Sequence, residues 1–259
     1  MKEVAYLILQ QMRTTLTYVG GATHLLMKAI FYGIKPPYDL RLIVQQIDYI
    51  GIRSLTVVNL IAVFAGMVLA LQTAYVLTRF GAKGFIGVVV ALSLVREIGP
   101  VFTAIMVGGR VGSGITAEIG SMKVTEQIDA IRVMGANPVK KLVVPKLVAT
   151  VVALPLLTIV AVILGILGGL LISVSELRVN PYYYFNTILE SITFQDVLSG
   201  VGKTFFFGLI IAVIGCYQGM VTEGGTEGVG RSTTITVVLI SIMILISDFF
   251  LTKLFMLLW

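Results

Sequence analysis

The chain has 259 residues, of which 57% are hydrophobic and 12% charged, and its formal net charge at neutral pH is +6. A soluble domain holds roughly 45–50% apolar and about 25% charged residues, so this composition excludes an ordinary soluble protein and predicts an integral membrane protein. The positive charge does not predict nucleic-acid binding, because Lys and Arg concentrate on one side of the predicted membrane, as positive-inside sorting requires.

Residues 1–53 mix apolar positions at near-helical intervals with Lys and Arg. This pattern predicts an amphipathic helix that lies along the cytoplasmic surface of the membrane. Pro36 and Pro37 interrupt the pattern, and residues 40–50 resume it as a short connecting helix. A sixth span is the alternative. No small-residue cleavage site follows the first apolar stretch, so a secretory signal peptide is not expected.

Five later segments are long and apolar enough to cross a membrane, since a span needs roughly 20 residues. They cover about residues 54–78, 85–109, 147–174, 204–222 and 232–258, so that residues 54–259 form one five-span unit. Of the 19 Lys and Arg residues, thirteen fall on the side of the N-terminus and five, including Lys203, on the other, while Arg96 lies within the second predicted span. The N-terminus is therefore predicted to be cytoplasmic and the C-terminus to lie outside.

Arg96 and Glu97 lie near the middle of the second predicted span. A charge at that depth costs on the order of 2.5–3.5 kcal/mol, so such residues face a protein interior or a water-filled cavity. Neighbouring helical positions point about 100° apart, so each side chain should meet a different partner. Two roles fit this charged pair, namely bracing the helices against one another and contacting a ligand. In the last span, Asp248 is expected to pair with Lys253 or to cap a neighbouring helix.

One short segment between the second and third predicted spans is amphipathic. Val124, Ile128 and Ile131 recur at i, i+4 and i+7 and therefore share a helical face that needs a covering surface. Gly135 and Pro138 are placed to end the helix. The segment predicts a cytoplasmic helix over about residues 122–135. By pattern alone, it fits a helix on lipid headgroups as well as a docking helix for a soluble partner.

The sequence contains little that predicts an enzyme. His24 is the one histidine and lies outside the predicted spans, so an intramembrane serine nucleophile would lack a histidine base. Cys216 is the one cysteine, and no His/Cys cluster predicts a transition-metal site. The stretch "GVGKT" at 200–204 lacks the first glycine of a phosphate-binding loop, since position 197 is valine. A non-catalytic membrane protein without a metal is expected.

Two stretches carry a resemblance to a known family. Residues 94–138, "LVREIGPVFTAIMVGGRVGSGITAEIGSMKVTEQIDAIRVMGANP", and residues 217–238, "YQGMVTEGGTEGVGRSTTITVV", closely resemble the MlaE/YrbE family of ABC-transporter permeases. The resemblance implies an all-α homodimer in the bacterial inner membrane, with two cytoplasmic ATPase subunits that bind ATP and Mg, and a periplasmic MCE-domain protein. Its implied function is ATP-driven phospholipid movement, in either direction. An ATP-independent channel or scaffold is the alternative.

The resemblance also implies site residues. The segment 125–135 corresponds to the coupling helix that docks on the ATPase, and the expected contacts are Thr125, Glu126, Gln127, Ile128, Asp129, Ile131 and Arg132. In the family, the pair that corresponds to Arg96 and Glu97 lies close to the lipid pocket. The spacing i, i+3, i+7 places Val68, Leu71 and Tyr75 on one face of the first span with Gln72 beside them, and this face is expected either to complete the lipid-binding site or simply to face bulk lipid. The glycine-rich loop 223–231 is expected to contact the ATPase or the coupling helix, or to be a simple turn.

Overall fold

The computed structural model describes residues 2–36 and 39–258, with side chains from Met12 onward except those of residues 14 and 15. Pro37 and the side chains that begin the N-terminal pattern therefore lie outside the described residues. The described part is helical and holds no β-strand. Its eleven α-helices are α1 (Lys2–Ile34), α2 (Leu40–Ile47), α3 (Arg53–Arg79), α4 (Ile86–Ser93), α5 (Gly99–Val107), α6 (Ser113–Val124), α7 (Gln127–Val133), α8 (Val144–Ser175), α9 (Pro181–Ser191), α10 (Phe194–Met220) and α11 (Gly225–Leu258).

Five continuous helical segments are long and apolar enough to cross a membrane, which confirms the all-α membrane fold with five spans. Numbered in chain order as spans 1 to 5, they are Leu40–Arg79, Lys83–Val124, Val139–Ser175, Phe194–Met220 and Gly225–Leu258. α1 is not among these candidates within the described residues. The connecting helix expected over residues 40–50 is present as α2, and it continues through a π-helical turn into α3 as part of span 1.

The helices run past the apolar segments that the sequence indicates. Span 2 continues through α6, so the region expected as a loop from residue 110 begins as helix, with Ile115 and Ile119 buried. Span 5 begins at Gly225, which leaves a short turn where a loop over 223–231 was expected. Hydropathy marks only the part of a helix that is apolar all round, whereas these helices continue at their ends with one buried face.

Spans 1 and 3 form the most extensive helix pair, and glycine makes their approach possible. A Cβ atom added at Gly66 would stand 1.8 Å from the backbone oxygen of Gly165, and one added at Gly168 would stand 2.3 Å from that of Val63. The two backbones therefore touch directly. Small residues at such crossings are typical of helix packing in membranes, where dispersion contacts hold the helices together.

π-helical turns interrupt spans 1, 2 and 3 in the described residues. The turn Leu94–Ile98 in span 2 carries Arg96 and Glu97 and stands directly before Pro100. Proline has no amide hydrogen to donate to the carbonyl four residues earlier, which belongs to Arg96. That carbonyl accepts a hydrogen bond from Lys203 Nζ at 3.2 Å instead. The proline thus creates a local opening in the helix that a buried lysine fills.

Two helices outside the spans are each held by a tyrosine. α1 packs near the end of span 4, where the rings of Tyr18 and Tyr217 meet edge to face at 4.9 Å. α9 follows span 3 and is held by Tyr184, which is buried and donates its hydroxyl to the Ile166 carbonyl at 3.3 Å. Burial raises the pKa of Tyr184 to about 12. The two helices lie at opposite ends of the bundle, α1 near α7 and α9 near the turn between spans 1 and 2.

Candidate functional site

A corner of the chain places α7 below the end of span 2. The span ends at Val124, and Glu126 adopts a left-handed conformation with φ 59° that turns the chain. The Thr125 hydroxyl donates to the Ser121 carbonyl at 2.8 Å, and Gln127 donates to the Thr125 hydroxyl at 3.0 Å. Gly135, with φ 78°, ends the helix in a conformation that glycine adopts without strain. The predicted helix over 122–135 is therefore two helices joined by a turn.

The apolar face of α7 is turned toward this chain and not toward solvent. Ile128 is 2% exposed and Ile131 is 7% exposed, and Ile128 belongs to the main hydrophobic core. Both residues are among the expected ATPase contacts, but in this chain their side chains pack against its own helices. Hydrophobic residues at i and i+3 are enough to anchor a short helix, so the two isoleucines fix α7 rigidly to the spans.

The exposed apolar residues of α7 lie at its end. Val133 is 88% exposed and Met134 is 73% exposed, higher fractions than at any other large hydrophobic residue near α7. Sequence reasoning missed both, because they lie outside the stripe formed by Val124, Ile128 and Ile131. Part of the signal was available, since Val133 falls on the face opposite the two isoleucines and Met134 follows it directly. A helix that buries one face and exposes apolar residues on another presents a contact site.

The charged residues of α7 form a small exposed network. Asp129 accepts from Arg132 at 2.8 Å and from Lys123 of α6 at 3.2 Å. Thr125, Glu126 and Gln127 are exposed beside it. Surface pairs of this kind contribute about 0–1 kcal/mol to stability, so these charges are free to serve recognition. Five of the seven expected coupling residues thus lie on one open surface with Val133 and Met134.

Toward the other end of span 2, charged side chains from spans 2 and 4 line a cavity of about 290 Å³, and uncharged side chains of span 5 complete its wall. We call the charged groove the four charged lining residues together with the ion-pair partner of Lys203 in span 5, that is Arg96, Glu97, Asp196, Lys203 and Asp248. Arg96 Nε donates to Asp196 Oδ1 at 2.6 Å. Lys203 Nζ lies 2.7 Å from Glu97 and 3.1 Å from Asp248. The expectation that Arg96 and Glu97 meet different partners is confirmed.

Two assignments of charged residues need correction. Lys203 was counted among the loop residues of the outer side, but it lies within span 4, which begins ten residues earlier than expected, and is 1% exposed. Asp248 was expected to pair with Lys253 or to cap a helix, but it pairs with Lys203. Residues 248 and 253 are five apart on one helix and so do not share a face, whereas span 4 packs directly against span 5.

Two comparisons with known proteins decide the family. Residues 43–254 match the family described as Permease MlaE. A probable ABC transporter permease protein of Rickettsia felis is 43% identical over 237 residues, which are 92% of each chain. The chain belongs to the MlaE permease family.

Two further members extend the range of organisms. The intermembrane phospholipid transport system permease protein MlaE of Haemophilus influenzae is 38% identical over 235 residues, which are 90% of each chain. The chloroplastic protein TRIGALACTOSYLDIACYLGLYCEROL 1 of Arabidopsis thaliana is 39% identical over 222 residues, which are 86% of this chain and 63% of the plant protein. The expected resemblance is confirmed over most of the chain.

In this MlaE permease, the expected lipid-binding residues fall into two separate places. Val68, Leu71, Gln72 and Tyr75 are exposed on the outer face of α3, and none of them lines the charged groove. The Arg79 guanidinium stacks on the Tyr75 ring at 4.3 Å from its centroid. One chain therefore does not bring the apolar set and the Arg96–Glu97 pair together. This face of α3 is therefore a largely apolar strip that no other described part of the chain covers.

The turn between spans 4 and 5 packs on the permease itself. Thr222 is buried, and its hydroxyl would stand 3.2 Å from a Cβ atom added at Gly120 of α6. This turn and the corner before α7 therefore lie at the same end of the bundle. Among the described residues, no group of three or more His, Cys, Asp or Glu side chains is arranged to hold a metal ion.

Proposed function

We propose that this permease is the membrane subunit of an ABC transporter that moves phospholipids between the bacterial inner membrane and a periplasmic MCE-domain partner. ATP hydrolysis takes place in two cytoplasmic ATPase subunits, which bind ATP and Mg, while this chain contributes no catalytic group. Support comes from the MlaE family match and from the Haemophilus relative, whose name specifies intermembrane phospholipid transport.

The strongest structural support for this function is the way in which α7 is anchored to the bundle on one side and exposed on the other. Ile128 and Ile131 anchor the helix to the core, while Val133 and Met134 project from it. A rigidly anchored helix transmits a push from a partner to the spans, whereas a loosely held one would absorb it. An exposed apolar anchor surrounded by charges is also the usual composition of a protein contact. We assign Thr125, Glu126, Gln127, Asp129, Arg132, Val133 and Met134 to contact with the ATPase.

The proposed orientation follows from charge. The end of the bundle that carries α7 also carries Lys123, Lys140 and Lys141, and cytoplasmic ends of membrane proteins are rich in Lys and Arg. With five spans, the N-terminus is then cytoplasmic and the C-terminus periplasmic. α9 lies at the periplasmic end. α1 lies along the cytoplasmic leaflet, with Leu25 and Ala29 against the bundle and Met27 and Ile30 outward.

The proposed homodimer gives the apolar strip of α3 a role. Val68, Leu71 and Tyr75 are each more than two-fifths exposed in the single chain. Two copies that face each other across span 1 would enclose a shared cavity with these side chains and Gln72 on its walls, suited to acyl chains. The charged groove adds a polar region to the route that a lipid would take through this cavity. Because its two cations face three carboxylates, Arg96 and Glu97 act there mainly as paired braces rather than as a strong phosphate site.

The proposal is tested with the intact complex, purified in mild detergent and reconstituted into liposomes. Met134→Asp places a charge at the proposed contact, and Leu189→Asp places one at an equally exposed position on α9, at the other end. We expect Met134→Asp to lose the ATPase subunits and ATP-driven transfer of a labelled phospholipid, while Leu189→Asp keeps the ATPase subunits bound. Equal transfer without ATP in all three proteins would establish the channel or scaffold instead.

A further inference from the structure

Two adjoining cavities open beside α7 and have no part in the proposed transport path. They measure about 420 and 480 Å³ and lie between α1, the start of span 1 and the start of span 3. Both are lined by Tyr32 of α1 and by the chain from Gly135 to Asn137, which links α7 to span 3. We call the pair the basic cleft. It separates α1 from the chain segment that links α7 to span 3.

The basic cleft is strongly positive. Its cationic side chains come from three elements and are Lys28, Arg132, Lys140 and Lys141, against one carboxylate, Asp39. Asp39 accepts the Leu42 amide at 3.3 Å and caps α2, and Arg132 is paired with Asp129. Among the described residues, the three lysines have no ion pair. Lys28 lines one of the two adjoining cavities and Lys140 and Lys141 line the other, so unpaired cations on both sides of the basic cleft attract an anion.

The walls of the basic cleft are partly apolar, which narrows the choice of anion. Leu42, Ile43, Val144 and Pro145 line one cavity, and Val139 and Met220 line the other. A free phosphate gains nothing from such walls, while the glycerol and upper acyl carbons of a lipid do. On the same helix as Lys28, Met27 and Ile30 are exposed, as expected where a helix meets a lipid surface. The cleft therefore lies at the level of the headgroups.

We propose that the basic cleft binds the phosphate-bearing headgroup of an anionic phospholipid from the cytoplasmic leaflet, separate from the transported lipid. Lys28 and Tyr32 hold the headgroup from α1, and Lys140 and Lys141 hold it from the start of span 3. The bound lipid fixes the link between α7 and the bundle, so the anionic lipid content of the leaflet tunes the coupling of ATP hydrolysis to transport. The inference rests on the cytoplasmic placement of α7 in the proposed function.

The test counts lipids bound to the intact complex by native mass spectrometry after release from nanodiscs. The nanodiscs contain phosphatidylcholine alone or phosphatidylcholine with one-fifth phosphatidylglycerol. The variant combines Lys28→Gln and Lys141→Gln, and the control combines Lys35→Gln and Lys83→Gln. All four lysines are exposed, so both proteins should fold. Each lysine near a membrane surface contributes roughly fivefold to anionic lipid binding, so we expect a loss of more than tenfold in retained phosphatidylglycerol for the variant alone.

Several outcomes overturn the inference. Equal phosphatidylglycerol retention by variant and control would show that the cleft is not a lipid site. Loss of ATPase subunits from the variant with full lipid retention would make the cleft a protein contact. Displacement of the lipid by millimolar inorganic phosphate would make it a site for a free anion. A wild-type complex without ATPase subunits would contradict the proposed function, whereas the lipid count on the permease would still decide the inference.

Discussion

The charged groove and the surface of α7 use the same residue types for opposite purposes. In the groove, Lys203 is 1% exposed and has Glu97, Asp248 and Thr252 around its ammonium group. On α7, Asp129 and Arg132 are paired but stay open to solvent. Removing one member of a buried set leaves an unpaired charge, which is costly, while removing a surface pair costs little. Charges inside the spans hold the fold, and charges on α7 remain available for recognition.

The largest effect is expected from Lys203→Met. It leaves Glu97 and Asp248 without their shared cation and removes the donor to the Arg96 carbonyl. Because both carboxylates are partly exposed, we expect a loss at the low end of the range for broken buried pairs, about 3 kcal/mol in the free energy of unfolding. Thermal unfolding of the purified protein in detergent measures the loss. An unfolding temperature equal to that of the wild-type protein would contradict this prediction.

Lys253→Met is the matched control for that experiment. Lys253 stands near the same end of span 5 but is exposed, and we expect its unfolding temperature to be unchanged. Combining Lys203→Met with Glu97→Gln and Asp248→Asn should restore part of the lost stability, because no buried charge is then left unpaired. A triple variant no more stable than the single one would show that packing, and not charge, explains the loss.

A smaller loss is expected from Arg96→Gln. Asp196 is buried but keeps two hydrogen bonds from Thr193, whose amide and hydroxyl each lie 2.8 Å from Asp196 Oδ2. The carboxylate therefore stays partly satisfied, and we expect about 1–3 kcal/mol of destabilisation in the same unfolding measurement. A loss as large as that of Lys203→Met would mean that the two pairs form one cooperative network.

The smallest effect on stability is expected from Asp129→Lys. The substitution reverses an exposed charge and removes two surface ion pairs, so the free energy of unfolding should change by at most about 1 kcal/mol. Association with the ATPase should nevertheless weaken by more than tenfold, as measured by co-purification at graded salt. Glu176→Lys makes the same reversal at an exposed position at the other end and should leave the association intact.

The sequence predicts the elements of this fold better than their contacts. Five apolar segments and the amphipathic pattern around Ile128 are local properties, and each is present in the structure as a helix. The partner of Lys203 is not a local property, because Asp248 is 45 positions away and meets it only through the packing of spans 4 and 5. Nor does periodicity say whether the stripe of α7 faces its own chain or another. Burial decides that question in favour of its own chain.

Cysteine cross-linking in the intact complex tests whether α7 is the face that meets the ATPase. Cys216 is buried, so a single Met134→Cys substitution adds one accessible thiol near α7. A bifunctional reagent should join the permease to the ATPase subunit from this position, and Leu189→Cys on α9 should give no such product. An intact complex that cross-links from position 189 and not from position 134 would contradict the account.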